Sequence, residues 1–440
     1  MWMLVVLAGF CVRDDLLGVT SFVRILGLLP HCYDRLLDFF HSASLRIDQL
    51  TACWTTLVLS RHPGLVRSGG RLVLVADGIK VAKSGRKMPA VKRLHQESES
   101  NTKPEYIMGH SMQAISVLVS WGMSVAAIPL IARIHEGLKF TNRDKRTLPD
   151  KMNAMLNSLP IIQPFYLVAD AYYACAKVAC GICGGDLISR VKTNTVAYEQ
   201  PLREEKPRRG RPRIYGKKVT LWSLFEQTDA MTQILSPLYG ETKVMINIRA
   251  LDLLWKPVGC LVRFVLVNHP TRGKRILMCT DITLPAEEIV RLYGYRFKIE
   301  LTFKHALHVI GAFLYHFWMA PMTPTARNAG DQHLHRTPKQ YRDAISRKMD
   351  AYHRFIQLGL IAQGLLQVLA TTVPESVWSC FGSWLRTIRP QLCPSELVVS
   401  IALRNTLPHF LTDKTDDSEL QKFLCQRIDL DRAEGLKLVS

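Results

Sequence analysis

Two apolar runs in this chain end on the same three residues: RLVLVAD closes on Asp77 and FYLVAD closes on Asp170. Short runs rich in Leu, Val and Tyr, bounded by polar residues, read as buried strands. A strand that ends on Asp delivers a carboxylate at its exit. One such aspartate is most often a turn or cap residue. Two of them at the ends of neighbouring strands can converge on a hard cation, because Mg²⁺ takes oxygen ligands and keeps waters that can become nucleophiles.

The surrounding pattern supports an α/β core. After Arg71 come MQAISVLVSW and SVAAIPLIARI, then a helical stretch from Pro149 to Leu159 ahead of the second Asp-terminated run. Strands alternating with helices imply that class. Between Lys192 and Arg275 the alternation stops: the basic run KPRRGRPRIYGKK (Lys206 to Lys218) precedes KVMINIRAL and LVRFVLVN, with a hairpin turn expected at Thr271-Arg272-Gly273-Lys274. From Pro285 to Ile310 a helix is expected, with Pro285 in its first turn and Glu287 and Glu288 complementing its N-terminal dipole. Before the core, FVRILGLL and YDRLLDFF space apolar residues by three and four with Pro30 between them, a helical texture. After it, residues 321–338 are a Pro-punctuated linker. The rest, from Lys339, is amphipathic helix broken at Pro374, Pro390 and Pro394.

The chain carries 57 Lys and Arg against 37 Asp and Glu, a net charge of +20, which points to a polyanionic partner. An apolar fraction of 48% excludes a wholly disordered protein. Eleven scattered cysteines show no disulfide framework and fit a reducing compartment, and the Cys180/Cys183 pair lacks a second pair at zinc spacing. The opening MWMLVVLAGFCV has no basic flank and meets Asp14 and Asp15 at once, unlike a signal peptide. The apolar run Ile356 to Ala370 is interrupted by Gln357, Gln363 and Gln367 and reads as a buried helix, with no membrane partner.

On the expected Pro285–Ile310 helix, Tyr293, Arg296, Glu300 and Lys304 fall within an arc of about 80° at 100° per residue. Leu292, Ile299, Phe303, Ala306 and Ile310 form the adjacent apolar stripe. By itself the polar arc reads as a solvated face with an Arg296/Glu300 pair.

Taken together, Asp77 in VADG, Asp170 in VADAYY and Glu300 in Tyr293-x2-Arg296-x3-Glu300 resemble the D, D and E of DDE transposases from bacterial insertion sequences. The pattern is most similar to the insertion-sequence-four-like subgroup with its Y-x2-R-x3-E-x6-K signature. The segment KSGRKMPAVKRLHQESESNTKPEYIMGHS is similar to the loop after the first aspartate in one branch of that group. The position seven after Glu300 is Leu307, where the signature has Lys, and Lys304 lies one turn earlier.

The resemblance implies an α/β fold with a ribonuclease-H-like catalytic core and a β-rich insertion, flanked by helical N- and C-terminal regions. In residue ranges, 1–65 is a helical module for binding DNA ends, 66–191 the first part of the core, 192–275 the basic insertion and 276–320 the end of the core with the Glu300 helix. Residues 321–338 are then the linker and 339–440 the helical C-terminal region. It implies that Asp77, Asp170 and Glu300 hold two Mg²⁺ or Mn²⁺ ions for DNA cleavage and strand transfer. Tyr293, Arg296 and Lys304 then contact DNA phosphate, with Lys83, Arg86 and Lys87 after the first aspartate and Arg208, Arg209, Arg211 and Arg213 in the G-R-P-like run. Transposon terminal inverted repeats and target DNA are the implied partners, with a homodimer in a synaptic complex and a cytoplasmic, nucleoid-associated location in a prokaryote. Two other readings stay open: a catalytically impaired, domesticated DNA-binding protein, and a ribonuclease-H-like nuclease without strand transfer.

Overall fold

Leu72–Ala76 and Phe165–Ala169 are buried at every position, as expected of strands covered on both faces. In the computed structural model, which describes residues 1–96, 104–201, 213–384, 388–413 and 418–431, they are adjacent and parallel. Their register pairs Leu72 with Phe165 and Ala76 with Ala169. The described residues divide into two units, one made of Val66–Asp77 and Arg146–Ile299, the other of Met1–Leu65, Gly78–Lys145 and Glu300–Ser440.

In the first unit, Gly185–Arg190 extends the parallel pair, with Ala169 opposite Ser189. The ladder then turns antiparallel: Gly273–Cys279 pairs with Gly185–Arg190, Cys260–His269 with Gly273–Cys279, and Met245–Trp255 with Cys260–His269. The expected hairpin is present, its turn one residue earlier, between the paired His269 and Gly273. Gly273 takes φ +70°, a left-handed conformation that side chains resist. Shorter strands Val196–Tyr198, Lys218–Thr220 and Thr232–Leu235 continue the ladder. The β-rich stretch is therefore hydrogen-bonded to the strands of the aspartates through one uninterrupted ladder. Two helices flank the second-aspartate strand, Leu148–Asn157 before it, opened by a Thr147/Asp150 capping box, and Ala176–Gly181 after it. Helix Ala286–Gly294 buries Ile289, Val290 and Leu292 and packs over the central strands.

The single helix expected from Pro285 to Ile310 is instead three pieces. Ala286–Gly294 ends, Phe297–His305 follows, and Ala306–Ile310 closes as a π turn before Gly311 at φ +68°. At the break, the amides of Tyr295, Arg296, Lys298 and Ile299 each reach back three residues rather than four. Gly294 weakens helix at that point by about 1 kcal/mol relative to Ala. The wheel therefore fails between Tyr293 and Arg296, which stand on opposite sides of the break.

In the second unit, Tyr106–Trp121 and Ser124–Ile134 form a long hairpin turning at Gly122 and Met123, with a bulge between Ile115 and Ser116. Helix Lys339–Thr372 lies on strand Ser124–Ile134 and also meets helices Trp2–Val12, Cys32–His41 and Glu396–Thr412. By length and composition it could cross a membrane, but 78% of its apolar window is buried within the protein. Gln357, Gln363 and Gln367 are buried and each side-chain amide donates: Gln357 to the Leu130 carbonyl at 2.8 Å, Gln363 to that of Thr302 at 2.9 Å, and Gln367 to Glu396 at 2.9 Å. Of the three side-chain oxygens only that of Gln357 has a partner among the described residues, Arg133. The N-terminal helices thus share a core with the C-terminal ones.

Candidate active site at the ends of parallel strands

Because Ala76 is level with Ala169, and Ala169 with Ser189, the next residue along each segment stands at one height. Those residues are Asp77, Asp170 and Arg190. Strand Arg71–Ala82 continues past Asp77, so this carboxylate sits within a strand and not at the exit its apolar run suggested, whereas Asp170 directly follows its strand. Neighbouring strands lie about 4.8 Å apart, so the two carboxylates start within reach of a common cation.

The aspartates have different surroundings. Asp77 accepts a 2.8 Å hydrogen bond from Nη1 of Arg296, both side chains being mostly buried. Asp170 is held through its main chain: its carbonyl accepts from Ser189 Oγ at 2.7 Å and from the Tyr173 amide at 3.1 Å. Its Oδ1 accepts from the Tyr172 amide at 3.0 Å. Burial raises the Asp170 pKa above the ordinary carboxylate value, against the opposing pull of the Tyr172 amide, Arg296 and Arg190. Tyr293 shares this environment; burial raises its phenol pKa while the charges of Arg296 and Arg190 lower it. Arg296 also hydrogen-bonds the Tyr293 hydroxyl.

Asp77, Asp170, Tyr293 and Arg296 are thus brought together within the first unit. Glu300 is exposed and opens the last segment of the second unit, on helix Phe297–His305, which also carries the exposed Lys304. Two acidic side chains at one level of adjacent strands suit a hard divalent ion in donor chemistry, and a desolvated carboxylate such as Asp170 gains from one. Among the described residues no three His, Cys, Asp or Glu side chains are grouped to hold a metal.

The basic residues after Asp77 are not one open loop. The first-aspartate strand runs on to Ala82 and another strand occupies Lys92–His95, so Lys80, Lys92 and Arg93 lie on strands. Arg86 and Lys87 are exposed, and their side chains donate to the carbonyls of Thr325 and Ala320. Lys83 is buried, which corrects its expected place on a DNA-facing loop. Its ammonium donates to the Phe313 carbonyl and sits 3.8 Å from the centre of the Tyr315 ring. Arg213 is exposed; Arg208, Arg209 and Arg211 lie outside the described residues.

A cavity of about 560 Å³ opens beside the site, lined by Tyr293, Arg296 and Arg190 together with His269, Arg272 and Arg275. Arg190 was missed in the sequence because its strand has only three buried residues, Leu187–Ser189, after a glycine pair, and does not stand out as an apolar run.

The sequence model of the DDE superfamily endonucleases matches residues 1–235. The chain belongs to this family. It is accordingly an enzyme that acts on DNA. The matched stretch holds Asp77 and Asp170 and ends before Glu300. No curated protein matches the chain. Among solved structures, a piggyBac transposase synaptic complex with hairpin DNA, determined by cryo-EM, is similar at a TM-score of 0.35 and 10% identity, over 98% of this chain and 76% of that one. Family membership makes a shared role for the two aspartates of this DDE endonuclease the first hypothesis to test.

Proposed function

We propose that this endonuclease is a transposase that cuts DNA at the ends of a mobile element and joins those ends to target DNA. The observation that carries the reading is that Asp77 and Asp170 stand at one level on adjacent parallel strands. The Tyr293-x2-Arg296-x3-Glu300 spacing supports an insertion-sequence-four-like subgroup and a ribonuclease-H-like core, with Glu300 as the third carboxylate.

Mg²⁺ or Mn²⁺ held by these carboxylates would polarise a phosphoryl oxygen and lower the pKa of bound water. The chain's own groups set the frame. Arg296 fixes the Asp77 carboxylate, and a guanidinium, with five N–H donors, can serve a carboxylate and a phosphate at once. The Tyr172 amide and Ser189 hold Asp170 at the strand end. Tyr293, its phenol pKa raised by burial, stays a neutral donor at neutral pH.

The test is cleavage and joining of a labelled DNA carrying the element's ends, in Mg²⁺, by Asp77→Asn, Asp170→Asn and Glu300→Gln. Each substitution keeps shape and removes a charged ligand. Loss of both steps with retained DNA binding is expected for all three, and normal nicking by any one removes that residue from the site. Cleavage without joining by the wild-type protein would replace transposition with plain nuclease activity.

A further inference from the structure

Arg190 and Arg275 have no assigned role, yet both line two separate cavities. The first is the one that also contains Tyr293 and Arg296. The second, about 540 Å³, is bordered by Lys192, Thr193, Asn194 and Lys274 as well as the same two arginines. The cavities therefore meet at Arg190 and Arg275.

The register explains why. Arg190 stands opposite Leu277 in the antiparallel ladder, so Arg275, two residues from Leu277, is its diagonal neighbour on the same face. Such neighbours are roughly 7–8 Å apart, and like charges so placed repel. Among the described residues the Arg190 side chain makes no hydrogen bond or ion pair, although Asp170 feels its charge. The one side-chain hydrogen bond shown for Arg275 goes to the adjacent Lys274 carbonyl, at 2.9 Å. Arg272, in the same cavity wall, differs: it is paired with Glu241 at 2.7 Å. Two guanidiniums aligned on one face, neither of them in an ion pair among the described residues and one of them beside Asp170, are complementary to an anion supplied from outside.

We propose that Arg190 and Arg275 form a phosphate track that grips successive phosphates of the DNA strand next to the cleavage site. The track leads from Tyr293 and Arg296 in the first cavity to Lys192 and Lys274 in the second. It deepens, and rests on, the reading of Asp77 and Asp170 as the place of cleavage. Arg190 is a substrate-binding residue, not a metal ligand.

The experiment measures binding of a fluorescein-labelled DNA duplex by anisotropy over a range of KCl, without divalent metal, for the full chain. Arg190→Ala and Arg275→Ala are each expected to weaken binding about 5- to 10-fold and to reduce the log-affinity against log-salt slope by about 1. The double variant should lose about 2, and Arg190→Lys should keep the slope. Arg190→Gln, which keeps the stem and loses the charge, decides the matter where the Ala variant melts early. An unchanged slope in the double variant overturns the proposal. Asp77→Asn and the wild-type protein are assayed separately for cleavage in Mg²⁺: if Asp77→Asn still cuts DNA, the cleavage-site reading fails, while the metal-free slopes still decide whether the arginines hold phosphate.

Discussion

Lys83 and Arg190 look alike in the sequence, each a cation a few residues beyond an apolar run or at its end, and the two units treat them in opposite ways. Lys83 is buried, donates to the Phe313 carbonyl, and lies over Tyr315, whose hydroxyl contacts Nδ1 of His110 at 2.6 Å. Burial pushes its pKa down to about 7 and that of His110 down to about 3. Arg190 is exposed, faces a cavity, and forms no ion pair among the described residues, with Asp170 feeling its charge from nearby. The difference teaches that a basic residue near an active-site strand is a DNA contact only if the fold leaves its charge in water. Where the fold removes water, the same charge becomes a cost carried by local hydrogen bonds.

The sharpest way to break the comparison is to remove a cation from each side. Arg296→Ala, which takes the partner from Asp77, is expected to lower cleavage by about 100-fold, the scale of losing a positioned charged group. Lys83→Met should leave cleavage of the same labelled DNA within about 2-fold. Equal losses in both variants would erase the distinction.

Lys304 is the next test. It is exposed on the Glu300 helix, one turn before the position where the signature of the proposed insertion-sequence-four-like subgroup places Lys and this chain has Leu307. Lys304→Ala is expected to reduce cleavage and joining about 10-fold with an unaltered thermal melt, and Leu307→Lys to be tolerated. Full activity of Lys304→Ala would assign that phosphate to another residue.

Lys83→Met should also raise the melting temperature by about 3–6 °C at pH 7. The folded-state pKa near 7 lies below the ordinary lysine value, so the folded state holds fewer protons than the unfolded one between them. Stability contributed through Lys83 therefore rises as pH climbs from about 7 towards 10.5, and the advantage of the Met variant shrinks over that window. His110 acts in the same sense at lower pH: the protein should lose stability as pH falls from about 6.5 towards 3. A pH-independent advantage for Lys83→Met would mean that the ammonium is hydrated after all.

The smallest expected effect sharpens the other side. Burial holds the Asp170 pKa above its unfolded value, so the ionised carboxylate carries a folding cost above that value, in the neutral range. Asp170→Asn in metal-free buffer should melt about 1–3 °C higher at pH 7, with the gain disappearing below the unfolded carboxylate pKa. A lower melting temperature would show that the Tyr172 amide and the nearby arginines already compensate the charge.

Much of the site was legible before the fold. Asp77 and Asp170 stood out because a strand buried on both faces must be apolar throughout, so a terminal carboxylate is conspicuous. Arg190 was not, since its strand has three buried residues and its importance comes from register with two others. The helix break at Tyr295 was also hidden: Gly294 is compatible with a helix, and only the three-residue hydrogen bonds reveal the turn.

The sequence by itself determined the apolar strands that carry the two aspartates and the net positive charge, because hydrophobic runs and charge act locally or in sum. Only the tertiary structure decided which cations stay in water and which residues stand level across strands. Burial and register depend on residues far apart in the chain: Lys83 lost its solvent to Phe313 and Tyr315, and Arg190 acquired its neighbours from strands Phe165–Ala169 and Gly273–Cys279.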